Sequence, residues 1–202
     1  MAIVVKNDEE EFVMTTSIFE TGTPLDIAGV LANKDRRAAF QREALRADPH
    51  QTLLAIKLNI PGPIKNNAAI TQLFKRGVHE FRAALAANGI AVEQLASWGT
   101  VAGNELFLRT TTAAATVKQL AATFEDTTDL GRIFDVDVLD GTGHSWSRTE
   151  LGAEARRCFI CNRPAKECAR SRRHSVADLQ AYIDDMYHKT FDPEEGMTRD
   201  DH

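Results

Sequence analysis

Asp135 and Asp137 lie two apart in the run Ile133-Phe-Asp-Val-Asp-Val-Leu. On a strand, that spacing turns both carboxylates to one face while Phe134, Val136 and Val138 enter the core. Two close carboxylates repel unless a cation sits between them, and oxygen ligands beside phosphates are what Mg²⁺ prefers. The pair therefore suits metal-assisted phosphoryl or nucleotidyl transfer. It also suits the ordinary Asp content of an exposed strand, and the spacing alone does not choose. Lys57, Asn59 and Arg109 have the strand parity to share the same face.

A second cluster is Cys158-x-x-Cys161, Cys168 and His174, which holds all three cysteines of the chain. Three thiolates and an imidazole match tetrahedral Zn²⁺ chemistry, and such a clip would supply folding energy to a short module. Small buried core cysteines are the competing explanation. Between Arg156 and His174 the chain carries Arg156, Arg157, Arg163, Lys166, Arg170, Arg172 and Arg173 against one acid, Glu167. In a protein of net charge -5 this local excess marks an anion site, and arginine is suited to bidentate phosphate contacts. Phe159 is the sole aromatic of the stretch, so base-stacking platforms for nucleic acid are poorly supported.

The elements that position these residues follow from periodicity. Thr23 as cap, Pro24 at the first helical position and Asp26 in the first turn predict a helix to about Arg46. Its charged residues Lys34, Asp35, Arg37, Gln41 and Arg42 fit a solvated face with i,i+4 pairs. Thr52 to Pro61 alternates as a strand, with Leu54, Ile56, Leu58 and Ile60 on one side. A helix over about 67–88 follows, with a stripe of Ile70, Leu73, Phe74, Val78, Phe81 and Leu85. Strands over about 92–102 and 105–111, joined at Gly103-Asn104, precede a helix through Val117, Leu120, Ala121 and Phe124. The strand bearing Asp135 and Asp137 comes next. The order predicts an α+β protein with a ferredoxin-like βαββαβ core, a four-stranded antiparallel sheet with two helices on one face. The N-terminal helix and everything after residue 140 are available for the other face.

Residues 140–150 read as a loop, and a last helix is capped by Ser175 with Asp178 three residues on. The expected organisation is an acidic lead-in over 1–22 and an α+β catalytic core over 23–150. A Cys/Arg-rich module with its helix covers 151–190, and an acidic tail follows over 191–202. At 202 residues, 43% hydrophobic and 26% charged, the chain has the composition of a globular protein rather than a disordered or fibrous one. It has no run of membrane-spanning length, no signal-peptide pattern and too few cysteines for a disulfide framework, which predicts a cytoplasmic protein without membrane or nucleic-acid partners.

Several blocks occur in one order: Lys34-Asp-x-Arg37-x₃-Gln41, Leu58-Asn-Ile-Pro-Gly-Pro-Ile-Lys65, Leu130-Gly-Arg-Ile-Phe-Asp-Val-Asp-Val138, Ser147-Arg148, and the stretch from Arg157 through Cys158, Cys161 and Cys168 to His174. Over about residues 22–185 the chain resembles the apo-citrate lyase phosphoribosyl-dephospho-CoA transferases, or holo-citrate lyase synthases. Lys34 and Asp35 stand where that family is expected to have Arg and Glu.

The resemblance implies transfer of 2'-(5''-phosphoribosyl)-3'-dephospho-CoA from its triphosphate precursor, triphosphoribosyl-dephospho-CoA. The acceptor is a serine of the acyl-carrier (gamma) subunit of citrate lyase, and pyrophosphate leaves. On that expectation Asp135 and Asp137 hold Mg²⁺, with Lys57, Lys65 and Arg132 neutralising developing charge. Arg37, Gln41, Asn59, Gly62 and Arg109 belong to the substrate site, and Arg148, Arg163, Arg170, Arg172 and Arg173 grip phosphates or the acidic carrier. No general base stands out. His174 could serve only if it is not a zinc ligand, and Lys57 only if burial lowers its pKa. Two alternatives are a related nucleotidyltransferase for another carrier protein and a non-enzymatic zinc-clipped module for an acidic partner.

Overall fold

The computed structural model describes residues 3–5, 12–14 and 16–191. The expected tail over 192–202 lies outside the described residues. The described residues form an α+β fold with a five-stranded antiparallel main sheet and five α-helices. A small antiparallel pair, β1 (Ile3–Val5) and β2 (Phe12–Met14), comes first. A single 3₁₀ turn, Ile18–Glu20, then buries Ile18 in the core, so the end of the lead-in is fastened down.

Helix α1 spans Ile27–Ala47, and its cap is Asp26, whose Oδ1 accepts from the Gly29 N–H at 2.7 Å. Thr23 and Pro24 precede the helix instead of starting it; the Leu25 N–H donates to the Pro63 carbonyl at 2.9 Å, which ties this segment to the Pro61-Gly62-Pro63 turn. The main sheet follows: β3 (Thr52–Leu58), β4 (Glu93–Thr100), β5 (Gly103–Thr110), β6 (Phe134–Leu139) and β7 (Ser145–Trp146), in the order β4-β5-β3-β6-β7. The fifth strand corrects the four-stranded expectation and the loop expected over 140–150. Asp140 builds the hairpin that adds it, its Oδ1 accepting from the Thr142 N–H at 2.9 Å and its Oδ2 from the Trp146 indole at 3.0 Å. The β4–β5 link is Val101-Ala102, because Gly103 already pairs with Thr100 as the first residue of β5.

Helices α2 (Ala68–Ala87) and α3 (Ala114–Thr127) carry the stripes expected of them. Ile70, Leu73, Phe81 and Leu85 of α2 and Val117 and Ala121 of α3 are fully buried against Leu54, Ile56, Leu108, Val136 and Val138. Gly77 of α2 lets the Phe134 ring approach so closely that a Cβ there would overlap it. After β7 come a 3₁₀ turn at Thr149–Leu151, the short helix α4 (Ala165–Arg170) and the final helix α5 (Val176–Phe191). The α5 cap is reciprocal: the Asp178 N–H donates to Ser175 Oγ and the Ser175 N–H to Asp178 Oδ2. Ile183 and Met186 of α5 join the same core as α2 and α3, so of the two segments available for the opposite face this helix packs elsewhere.

That opposite face takes α1. Its inward side carries Asn33, Arg37, Phe40, Ala44 and Leu45, and of these Leu45 is buried, packed with Leu53 and Leu139. Phe40 packs on Trp98 and Phe107 with ring centroids 5.1 and 4.5 Å apart, while Ile27 and Leu31 remain exposed. Covering both faces is why Thr52 through Ile56 are all buried rather than alternating.

Candidate functional site

Strand β6 alternates as expected, and its register opposite β3 sets Asp135 against Lys57 and Asp137 against Ala55. Lys57 Nζ lies 2.7 Å from Asp135 Oδ2 and 2.7 Å from Asp137 Oδ2. The cation that the carboxylate pair calls for is thus already present as an ammonium. Burial alone would pull the Lys57 pKa down, but Asp137 and Asp135 outweigh it and hold the ammonium above the ordinary lysine value. Burial alone would push the Asp135 carboxyl up; Lys57, then Arg156 and Lys118, outweigh that and hold it below the ordinary carboxylate value. Lys57 therefore keeps its proton at neutral pH, which removes it as a general base. Both carboxylates keep 39% of their side-chain surface open, so neither is sealed beneath a helix.

Beside this triad, α1 and the ends of β3 and β5 enclose a cavity of about 190 Å³ lined by Asn33, Lys34, Arg37, Lys57, Asn59, Lys65 and Glu105, among others. Glu105 is 3% exposed, and its Oε1 accepts from Asn33 Nδ2 at 2.7 Å and from Arg37 Nη1 at 2.5 Å. Arg37 is consequently a partly buried ion-pair partner and not a solvated surface charge. Lys65 Nζ donates to the Ile60 carbonyl at 2.6 Å, and burial lowers its pKa. Gly62, at φ 80°, forms the turn between Pro61 and Pro63, where a Cβ would press on Gln180 and Val176 of α5.

Asn59 also lines a second and larger cavity of about 500 Å³, walled by Pro61, Arg156, Phe159, Arg172, His174 and Leu179, with neighbours from the Cys module. The four expected metal ligands converge here. The donor atoms of Cys158, Cys161, Cys168 and His174 all lie within 4.8 Å of one another. A tight knuckle brings the first two together: the Asn162 N–H donates to the Cys158 carbonyl at 3.1 Å and the Cys158 N–H to the Arg163 carbonyl at 2.7 Å, with Asn162 at φ 57°. His174 beside Cys161 draws that thiol's pKa down to about 6, while burial pushes Cys168 up to about 11. His174 Nε2 is buried with no hydrogen-bond partner among the described residues.

Arg156 joins the module to the carboxylates. Its Nη2 donates to the carbonyls of Arg132 and Phe134 at 2.7 and 2.5 Å, and its Nη1 lies 3.9 Å from Asp135 Oδ1. The sequence places Arg156 in the basic excess that marks an anion site but does not link it to the carboxylates, and it does not single out Glu105. The signal for Glu105 is its strand phase with Arg109; the Lys57–Glu105 register makes it a site neighbour.

Other candidates stand apart from the carboxylate pair. Arg109 pairs with Glu93 at 2.8 Å at the far end of β5. Arg148 is 8% exposed and committed to two acids, donating to both Asp126 oxygens at 2.8 Å and to Glu125 Oε2, so its charge is already paired within the protein. Arg132 donates to the carbonyls of Arg157 and Cys158, pinning the module. Gln41 lies one turn beyond Arg37 and lines neither cavity. Of the exposed arginines, Arg172 lines the larger cavity, while Arg163, Arg170 and Arg173 line neither.

An α+β sheet protein with a carboxylate–lysine triad beside a cavity lined by Lys34, Arg37 and Lys65 offers fixed cations to a phosphate-bearing ligand. A family model described as "apo-citrate lyase phosphoribosyl-dephospho-CoA transferase" matches residues 25–190, and the chain belongs to that family. It is 32% identical over 191 residues to the "probable apo-citrate lyase phosphoribosyl-dephospho-CoA transferase" of Streptococcus pyogenes serotype M5, covering 93% of this chain and 98% of that one. It is also 32% identical over 165 residues to the protein of that name, without "probable", from Citrobacter koseri, covering 81% of this chain and 89% of that one. Over 155 residues it is 32% identical to the same-named protein of Shigella boydii, with 77% and 84% covered.

Proposed function

We propose that this protein attaches the phosphoribosyl-dephospho-CoA group to a serine of the citrate lyase acyl-carrier subunit, with triphosphoribosyl-dephospho-CoA as donor. A bond forms between the serine oxygen and the α-phosphorus, the bridging P–O bond to pyrophosphate breaks, and the serine proton passes to a base or to water. The observation that carries this reading is Lys57, held between Asp135 and Asp137 at the edge of a cavity that also presents Lys34, Arg37 and Lys65. Fixed cations beside a polyphosphate stabilise the charge that develops as pyrophosphate leaves.

Asp135 and Asp137 are the residues to hold Mg²⁺. Each spends one oxygen on Lys57 and keeps open surface, so the donor set suits a hard cation shared with substrate phosphates. When bound, Mg²⁺ would neutralise phosphate charge and aid departure of pyrophosphate. The Cys₃His cluster suits structural Zn²⁺: its donors are soft, close and four in number, and the partnerless His174 Nε2 would gain a ligand bond. His174 is then a ligand and not the base. Arg172, with the exposed Arg163, Arg170 and Arg173, is placed to meet the donor's remaining phosphate or the carrier's acidic surface. In this reading residues 23–150 form the catalytic core, a ferredoxin-like βαββαβ unit extended by one strand. Residues 151–190 form a module packed on it, and the protein works in the cytoplasm.

The test is to mix the protein with apo acyl-carrier subunit and triphosphoribosyl-dephospho-CoA and weigh the carrier by mass spectrometry. A mass gain equal to the phosphoribosyl-dephospho-CoA group, with release of pyrophosphate, is expected. An unmodified carrier with magnesium present would overturn the reading.

A further inference from the structure

Glu105 is buried among cations, yet only one of its oxygens is used. Oε1 takes hydrogen bonds from Asn33 and Arg37, while Oε2 is buried and has no partner among the described residues. A buried carboxylate oxygen without a donor is costly. Every other charged side chain lining this small cavity is a cation: Lys34, Arg37, Lys57 and Lys65. A bare polyphosphate would satisfy the cations and leave Oε2 unmet, or repel it. The group that satisfies both carries phosphate and, next to it, a hydroxyl able to donate to a carboxylate.

We infer that the cavity beneath α1 binds the phosphorylated ribose end of the donor, and that Glu105 is its specificity-determining residue, its Oε2 accepting a hydrogen bond from a ribosyl hydroxyl. This rests on the proposed transfer for the identity of the sugar. The cavity of about 190 Å³ is the size for a sugar phosphate and too small for the whole donor. The cavity of about 500 Å³ across Asn59, with Phe159, Val176 and Leu179 in its walls, is left for the longer dephospho-CoA portion.

Isothermal titration of the full-length protein with ATP, with its dideoxyribose counterpart and with inorganic tripolyphosphate tests this. ATP serves as an available ribose triphosphate. The wild type should bind ATP about tenfold more tightly than the dideoxy compound, since loss of both ribose hydroxyls leaves a buried acceptor unpaired. Glu105→Gln keeps an oxygen for Arg37 and Asn33 but puts an amide NH₂ at the free position. It should reduce that preference to about twofold or less while tripolyphosphate binds no more weakly than to the wild type, because the one acid facing it has lost its charge. Equal wild-type affinity for the two nucleotides, no binding of any of the three, or an undiminished preference in Glu105→Gln would overturn the inference. Retained preference with loss of kcat would assign Glu105 to proton transfer instead. If the carrier gains mass but the wild type shows no preference, the inference falls alone; if the preference holds and the carrier gains nothing, the transfer reading falls alone.

Discussion

Lys57 decides how the two aspartates behave. Held 2.7 Å from each, it places a positive charge between two neighbouring carboxylates and offsets their repulsion. The consequence for pH follows from the direction of each shift. Asp135 is lowered in the folded protein, so its contribution to stability is complete above the unfolded value near about pH 4 and is lost as pH falls through the lower folded value. Lys57 is raised, so its contribution is complete below the unfolded value near about pH 10 and is lost as pH climbs through the higher folded value. Thermal melts of wild type and Lys57→Met should therefore differ most between these limits and converge in acid; a gap that stays constant below about pH 3 would refute the pairing. Asp135→Asn and Asp137→Asn should each cut transfer about a hundredfold or more while circular dichroism shows the fold retained. Near-full activity in both would remove the carboxylates from the mechanism.

Element placement rests on a few polar fixings. Helix α1 sits on the sheet through Asn33 and Arg37 on the buried Glu105 and through Phe40 on Trp98 and Phe107, a face with too little apolar character to read from periodicity. The short strand β7 and the segment after it are pinned to α3 by Arg148 on Glu125 and Asp126. Glu125 is 2% exposed, and its other oxygen accepts from the Val136 N–H at 2.8 Å, so the pair also braces the strand that bears Asp135 and Asp137. Arg148→Met should strand that buried carboxylate and cost about 3–5 kcal/mol in urea unfolding, with Arg148→Lys recovering little because one ammonium cannot span both acids. A loss under about 1 kcal/mol would show the pair to be dispensable.

For the molecule as a whole, the Cys module closes the larger cavity and faces Asp135 through Arg156. If zinc organises it, purified protein should carry about one zinc per chain by elemental analysis. A strong chelator should then expose the amides of residues 156–174 to hydrogen exchange while the β3, β5 and β6 amides stay protected. Zinc-free protein with slow exchange in that stretch would mean the cysteines are core residues. No helix among the described residues is long and apolar enough to cross a membrane.

Local pattern alone settles much of this protein: α2, α3, β3 and β6, the Ser175–Asp178 cap, the shared face of Asp135 and Asp137, and the Cys₃His grouping. These depend on period, spacing and side-chain type, which the chain carries in one dimension. Strand partners and long-range polar contacts do not. That Lys57 bridges both aspartates, that Glu105 lies buried under α1, that Arg148 is consumed by Glu125 and Asp126, and that β7 adds a fifth strand are decided by register and by which helix closes which face. Only the folded chain brings such distant residues within hydrogen-bond reach, and only there does burial set which charges pair and which remain free for a ligand.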